Sequence, residues 1–199
     1  MSNADQPALG LRERKKARTR AEIQRQALRL FREQGYEATT VGQIAAAAEV
    51  SESTFFRYFP TKEAVVLRDD LDEALVAAFE AQPAHLGPVQ AMRAAFRAVF
   101  DRLSEEERQE VQERALLVLS VPELRAAGIG EVIETFQRIS ELMARRAGRA
   151  AHDLAVRTLA GALLGAMLAA VMEVVDHPDV DFLERVDAAM AYLEAGLPL

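Results

Sequence analysis

The clearest chemistry in this sequence lies in a short segment rich in hydroxyl groups and cations, residues 51–62. Phe55 and Phe59 are one helical turn apart, so they share one face of a predicted helix and form its core side. Hydroxyl and guanidinium groups on the other faces can donate hydrogen bonds to phosphates and base edges, and an aromatic ring can touch a thymine methyl group. We therefore predict DNA contacts from Ser51, Glu52, Ser53, Thr54, Phe56, Arg57, Tyr58 and Lys62.

Two short helices must hold this segment in position. Thr40 can cap the first helix, with Gln43 completing a capping box, and the small residues 45–48 let a second helix approach closely. Residues 49–50 make the turn, and Ser51 caps the second helix. Two capped helices joined by a tight turn are the layout of a helix-turn-helix, whose second helix enters the major groove. Thr40 joins the residues predicted to contact DNA.

Charge is divided unevenly along the chain. The formal net charge is −7, but residues 1–68 carry 12 Lys and Arg against 8 Asp and Glu, while the remainder carries 12 against 23. Nine basic and two acidic residues lie between Arg12 and Arg32. These cations either belong to a solvated tail or contact phosphates, and their position beside the helix-turn-helix favours phosphates, with Arg18 and Arg20 as candidates.

A resemblance to a known family is carried by the segment ALRLFREQGYEATTVGQIAAAAEVSESTFFRYFPTKEAV. Together with flanking residues from about Arg14 to Arg68, it resembles the TetR/AcrR-type bacterial transcriptional regulators. It departs from the family pattern at Glu49, where glycine is common, and at Phe56, where a phosphate-contacting tyrosine is common. A positive φ at Glu49 would cost a non-glycine residue some free energy.

The resemblance implies an all-α protein with two parts. An N-terminal three-helix head, residues 12–60, would bind DNA, and a larger helical body, residues 61–199, would bind a ligand and dimerise. Residues 1–11, which lack a secretion-signal pattern, are predicted to be a disordered tail. The implied protein is a cytoplasmic bacterial repressor that binds an inverted-repeat operator in double-stranded DNA as a homodimer.

Helical periodicity extends over most of the chain, and no segment has the pattern of a strand. Thr19 with Glu22 predicts a capping box that opens the first helix, and Gly35 ends it. The basic residues before Thr19 either extend this helix or form an arm. Later helices are predicted over residues 61–81, 88–103, 105–120, 131–149, 152–175 and 181–195, with a short turn at 122–127.

The sequence offers no catalytic constellation, so an enzyme is not predicted. The three histidines are far apart and there is no cysteine, which leaves no metal-ligand pattern. Gly128 and Gly130 lack the third glycine of a phosphate-binding loop and are interpreted as a turn at a helix boundary. Glu105–Glu107 suit the first turn of a helix, where negative charge is favourable. We predict no cofactor and no metal.

The longest charge-free run, residues 158–172, is shorter than the roughly 20 apolar residues that cross a bilayer. A buried helix is therefore predicted there, without a membrane partner. Within it, Gly161, Gly165 and Ala169 recur at four-residue intervals and form a row of small side chains. This row either packs inside the body or meets a second copy. In the resembled family the last two helices form a four-helix dimer interface. The resemblance therefore favours dimerisation through the helix around Phe182 to Tyr192 and through Gly161, Gly165, Leu168, Ala169 and Met172.

Large apolar side chains on neighbouring helices of the body form either a filled core or a ligand pocket: Met92, Phe96, Phe100, Leu116, Leu119, Phe136 and Met143. Residues 113–126, ERALLVLSVPELRA, resemble a subgroup of the family that binds acyl-coenzyme-A-like ligands and includes regulators associated with mycofactocin genes. In that case Arg114 or Arg125 meets an anionic part of the ligand.

The sequence thus predicts a DNA-binding regulator released from its operator by a small apolar or acyl-type effector. Two alternatives stay open. One is a DNA-binding dimer without a small-molecule ligand. The other is a helical protein-interaction module whose basic head binds acidic proteins instead of DNA.

Overall fold

The computed structural model describes residues 10–68, 71–177 and 179–198, which form helices and no strand. The chain divides into two compact units, Met1–Arg68 and Asp69–Leu199, here called the head and the body. The ten helices of the described residues are α1 Leu11–Gln34, α2 Val41–Ala47, α3 Glu52–Tyr58, α4 Ala64–Leu67, α5 Leu71–Glu80, α6 Pro88–Phe100, α7 Glu105–Ser120, α8 Pro122–Ala147, α9 Leu154–Asp176 and α10 Phe182–Glu194.

The first helix begins well before the predicted capping box. The Thr19 hydroxyl donates to the carbonyl of Lys15 at 3.0 Å, so Thr19 lies inside α1 and the predicted start is wrong. Inside a helix a threonine hydroxyl can bond the carbonyl four residues back. The basic residues before Thr19 extend the helix to Leu11, which confirms the first of the two alternatives for them. The predicted end is confirmed, since Gly35 has a φ of 86° and its N–H donates to Phe31.

The segment predicted as one helix over residues 61–81 is interrupted. Arg68 is extended, with φ −106° and ψ 127°, and separates α4 from α5. Val65 and Val66 are buried in the head, and the side-chain amide of the buried Gln24 donates to the carbonyl of Val65 at 3.2 Å and to that of Arg68. The head therefore includes α4, although the predicted domain boundary fell at residue 60.

In the body, α7 has its predicted bounds, and Ser104 with Glu107 forms its capping box. The helix α8 runs without a break from Pro122 to Ala147, so the predicted turns at residues 122–127 and at Gly128–Gly130 are wrong. A glycine lowers helix propensity but ends a helix only where the backbone takes a left-handed conformation. That conformation occurs at Gly148, with φ 64° and ψ 33°.

The helix α9 is buried on one face only. It packs against α8 and α10 and buries Ala160, Leu163, Ala170 and Val174. Its other face exposes apolar side chains, including Leu168 at 55% and Met172 at 45%. The prediction of a buried helix is therefore right for one face and wrong for the other. Within the described ranges, α9 alone is long and apolar enough to pass as a membrane span by length and composition, as core helices also do.

An ion-pair network ties the first long helix of the body to its last. Arg93 and Arg97 on α6 both donate to the carboxylate of Asp187 on α10, at 2.7 to 2.9 Å, and Arg93 also pairs with Glu194 at 3.0 Å. The hydrogen bonds from Arg93 and then Arg97 hold the pKa of Asp187 well below its usual range.

This network predicts acid sensitivity of the body. Because the pKa of Asp187 is lower in the folded chain, its contribution to stability is complete above about pH 4 and is lost as the pH falls toward the folded value. Urea denaturation followed by circular dichroism should show Asp187→Asn less stable than wild type at neutral pH, with a gap that narrows below about pH 4. A difference in unfolding free energy between wild type and Asp187→Asn that stays constant with pH would contradict this role of Asp187.

Candidate functional site

The two faces of α3 differ as predicted. Phe55 and Phe59 are fully buried, with ring centroids 5.9 Å apart, and anchor the helix to the head core. The Ser51 hydroxyl accepts from the backbone N–H of Thr54 at 3.1 Å, which confirms the predicted cap. A capped start and two buried rings fix the direction and the rotation of this short helix.

The remaining residues of α3 turn outward. Glu52, Ser53, Phe56 and Arg57 are exposed, whereas Thr54 and Tyr58 are partly buried. Phe56 is 49% exposed and packs edge-on against Phe55 at 5.4 Å, so its ring stands on the surface in a fixed orientation. The Arg57 guanidinium lies 5.5 Å from the centre of the Tyr58 ring. The predicted α3 residues thus come together on one side of the head, and their DNA contacts remain a prediction.

The helix α2 is held by a complete capping box. The Thr40 hydroxyl accepts from the N–H of Gln43 at 3.2 Å, and the Gln43 amide oxygen accepts from the N–H of Thr40 at 2.8 Å. The turn that follows has Glu49 at φ 53°, the strained position that the sequence pointed to. The N–H of Val50 donates to the carbonyl of Ala45 at 2.9 Å and closes the turn.

Lys62 has a different environment from the one predicted for a phosphate contact. Its ammonium donates to the backbone carbonyls of Tyr36 at 2.9 Å and Thr39 at 3.0 Å, and it lies 4.0 Å from the centre of the Tyr36 ring. The Tyr36 hydroxyl in turn donates to Glu63 at 3.2 Å. Lys62 thereby fastens the loop before α2 to the start of α4. Sequence reasoning missed this positioning role, because the partners are more than 20 positions away.

The two arginines predicted to contact phosphate differ in burial. Arg18 is exposed, as are Arg14, Lys15 and Lys16 before it, whereas Arg20 is partly buried with its guanidinium 5.3 Å from the centre of the Phe59 ring. Cations in the first turns of a helix lie at the positive end of its dipole and repel one another. A nearby polyanion would stabilise an exposed, basic helix start of this kind, because it neutralises the cations.

The residues predicted for dimerisation lie on the exposed face of α9, which includes Gly161, Gly165, Leu168, Ala169 and Met172. Between α9 and α10 an open apolar groove of about 540 Å³ is lined by residues that include Ala162, Gly165, Ala166 and Tyr192. Outside the backbone of its own helix and its two chain neighbours, a Cβ added at Gly165 meets no described atom within 4 Å. Packing within the described part of this chain therefore does not require the glycine.

The residues predicted for ligand binding are divided between core and pocket. Met92, Phe96 and Met143 are buried, while Phe100, Leu116, Leu119 and Phe136 are partly buried. Met92 and Phe96 line a pocket of about 60 Å³. Arg114 and Arg125 are not among its lining residues, but Arg138 is, and sequence reasoning did not single out Arg138.

Comparison with known proteins identifies both units. Residues 23–68 match the family model of bacterial regulatory proteins of the tetR family, and residues 86–198, more than half of the chain, match the MftR C-terminal domain. The HTH-type transcriptional regulator TcmR of Streptomyces glaucescens is 46% identical over 147 residues. That alignment covers 70% of this chain but 65% of TcmR, less than two thirds of the relative's length.

Two further similarities extend over nearly the whole chain. MftR of Mycobacterium tuberculosis, a proposed regulator of mycofactocin biosynthesis, is 28% identical over 186 residues, which cover 92% of this chain and 93% of MftR. FadR of Thermus thermophilus, a TetR-family repressor solved in complex with lauroyl-CoA, aligns with a TM-score of 0.58 and 27% identity over 90% of this chain and 95% of FadR. The predicted all-α fold and mycofactocin-regulator-like subgroup are confirmed. The chain belongs to the TetR family of bacterial transcriptional regulators and carries an MftR-type C-terminal domain.

Proposed function

We propose that this regulator is a cytoplasmic repressor that binds an inverted-repeat operator as a homodimer and leaves it when an apolar or acyl-type effector binds the body. The observation that supports DNA reading most directly is the polar outer face of α3, held by the Ser51 cap and by buried Phe55 and Phe59. Each head would place that face in a major groove, with the two half-sites about 34 Å apart or a multiple of that distance.

The division of charge supports the same function. The basic residues of α1 lie in the head, whereas the body carries the excess of acidic residues. Phosphates would attract the head and repel the body, which orients the protein before base contacts form. The relatives are regulators, and we propose no enzymatic reaction for this chain.

Arg57 tests the assignment of α3 to base reading. We expect Arg57→Ala to cost about 1 to 3 kcal/mol of operator affinity and to relax the preference for one base pair, as loss of a base contact does. Arg29→Ala is the matched control for loss of a cation: Arg29 is also an exposed arginine of the head, it pairs with Glu33 on α1, and its replacement should leave the base preference unchanged. Fluorescence anisotropy with the operator and with single-base variants measures both effects. Equal losses for all sequences would contradict base reading by Arg57.

Release by an effector is supported by the similarity to FadR, whose structure contains lauroyl-CoA. A ligand shifts operator binding only by its differential affinity for the two head spacings, so an effector must stabilise the body and weaken operator binding together.

A dimer that needs no small-molecule ligand is a second candidate. The described pocket around Met92 and Phe96 has only about 60 Å³, far less than an acyl chain occupies. A thermal-shift screen of fatty acids and acyl-coenzyme-A species, followed by operator titration with each hit, distinguishes the candidates. Hits that release DNA support the repressor with an effector, and the absence of hits supports the ligand-free dimer.

A further inference from the structure

The small pocket of the body has an apolar interior and a charged mouth. Its interior includes Met92, Leu163 and Met190, each at most 2% exposed. The polar residues of its lining, Asp72, Thr135 and Arg138, include two charged side chains that are about half exposed. Apolar atoms inside and charged groups at the opening match a ligand with an apolar chain and a charged end.

The two charged residues at the mouth form an ion pair between two helices. Arg138 on α8 donates through Nη2 to Asp72 Oδ2 on α5 at 3.0 Å and to the Thr135 hydroxyl at 3.1 Å. The side chains of Arg138 and Asp72 are 45% and 55% exposed. Exposed ion pairs of this kind contribute little to stability, so another anion can replace Asp72 at small cost.

We propose that this pocket is the effector site and that Arg138 exchanges Asp72 for the anionic group of the effector. The ligand class is an amphipathic anion, with a carboxylate or phosphate at Arg138 and an apolar chain among the methionines of the interior. A guanidinium suits both anions because it can donate two parallel hydrogen bonds. This inference rests on the proposed function, and it assigns the anion to Arg138 in place of Arg114 or Arg125.

The pocket must enlarge to admit a chain of several carbons, since its volume is about 60 Å³. Three of its lining residues, Met92, Met167 and Met190, are methionines. Their unbranched side chains change rotamer easily and can open space that a close-packed branched core would not. The effector therefore expands a site that is small in its absence.

The same exchange links the pocket to the head through the chain. Asp72 is the second residue of α5 and follows Arg68, the last residue of the head, by four positions. An effector that takes Arg138 from Asp72 removes one ion pair between the start of α5 and α8. The first helix after the head is thus the element whose position the effector would change.

The test uses three probes of equal chain length: dodecanoate, dodecanol and dodecyltrimethylammonium. Calorimetric titration of the full chain should show dodecanoate binding more tightly than the neutral or cationic probe, by about tenfold to a hundredfold, as a charge-assisted hydrogen bond predicts. Arg138→Ala should bring the ratio of dodecanoate affinity to dodecanol affinity close to one. Asp72→Asn should strengthen dodecanoate binding severalfold, because it removes the competing carboxylate.

The matched controls are Arg145→Ala and Glu80→Gln. Arg145 and Glu80 also join α8 to α5 by a 3.0 Å ion pair, with both side chains 55% exposed, but neither lines this pocket. Both controls should leave the ratio unchanged. Failure of all three probes to bind, or an unchanged ratio in Arg138→Ala, would overturn the assignment.

Operator titration separates this inference from the proposed function. Operator binding by a protein that binds no probe would leave DNA reading intact and refute the pocket. Dodecanoate binding that depends on Arg138 without any change in operator affinity would support the pocket as an anion site and refute its link to the head.

Discussion

Replacing Phe55 by alanine is expected to unfold the head and abolish operator binding. Phe55 is fully buried, packs against both Phe56 and Phe59, and supports the helix that carries the candidate base contacts. Loss of a buried phenylalanine costs about 3 to 5 kcal/mol, a large fraction of the stability of a small helical unit. Circular dichroism during thermal unfolding, with operator titration on the same sample, measures the effect.

The neighbouring Phe56 provides the matched control. It is the same residue type on the same helix but is 49% exposed, so Phe56→Ala should leave the free energy of unfolding nearly unchanged. The operator affinity of Phe56→Ala should fall only if the Phe56 ring contacts a base in the wild-type complex. A Phe55→Ala protein that keeps its melting temperature and its operator affinity would show that α3 is not anchored as described.

Replacing Gly165 by leucine is expected to split the proposed dimer. A Cβ added at this position meets no atom of another element within 4 Å, the residue faces an open groove, and leucine has the higher helix propensity, so the monomer itself should tolerate the change. In a symmetric interface the added bulk enters twice, at a cost of about 2 to 6 kcal/mol of dimer stability. Sedimentation velocity should show monomers with unchanged helix content and greatly weakened operator binding.

Gly130→Leu is the control for this experiment. Gly130 also lies inside a helix with no other element within 4 Å of an added Cβ, but on α8 and not on α9. The Gly130→Leu protein should have the same sedimentation coefficient as the wild-type protein. An intact dimer of the Gly165→Leu protein that binds the operator normally would exclude α9 as the dimer face.

The features predicted correctly from the sequence are local. The caps of Thr40 and Ser51, the positive φ at Glu49 and the burial of Phe55 and Phe59 depend on residues within one or two helical turns. Such signals are complete in a short window of sequence, which is why the helix-turn-helix could be located to within a residue or two.

The errors arise where a local signal competes with packing. Thr19 can cap a helix or bond to the preceding turn, and only the continuation of α1 to Leu11 decides between these. Gly128 and Gly130 indicate a helix boundary by residue type, but α8 continues through both of them. Propensity is a weak guide when a long amphipathic helix is stabilised by its neighbours.

The candidate sites in the body could be predicted only in outline. The apolar periodicity indicated Met92 and Phe96, and both line the small pocket. The pairing of Arg138 with Asp72 joins residues 66 positions apart, so no spacing rule could reveal it. The same reason hid the contacts of Lys62, whose ammonium binds carbonyls of a distant loop.

Selection of bound fragments from a pool of random DNA tests directly whether the outer face of α3 reads an operator. The wild-type protein should enrich an inverted repeat with half-site centres about one helical turn, or a whole number of turns, apart. The Arg57→Ala protein should lose preference at one position of each half-site. Enrichment of no common sequence by the wild-type protein, or of the same sequence with equal strength by Phe55→Ala, would contradict the account.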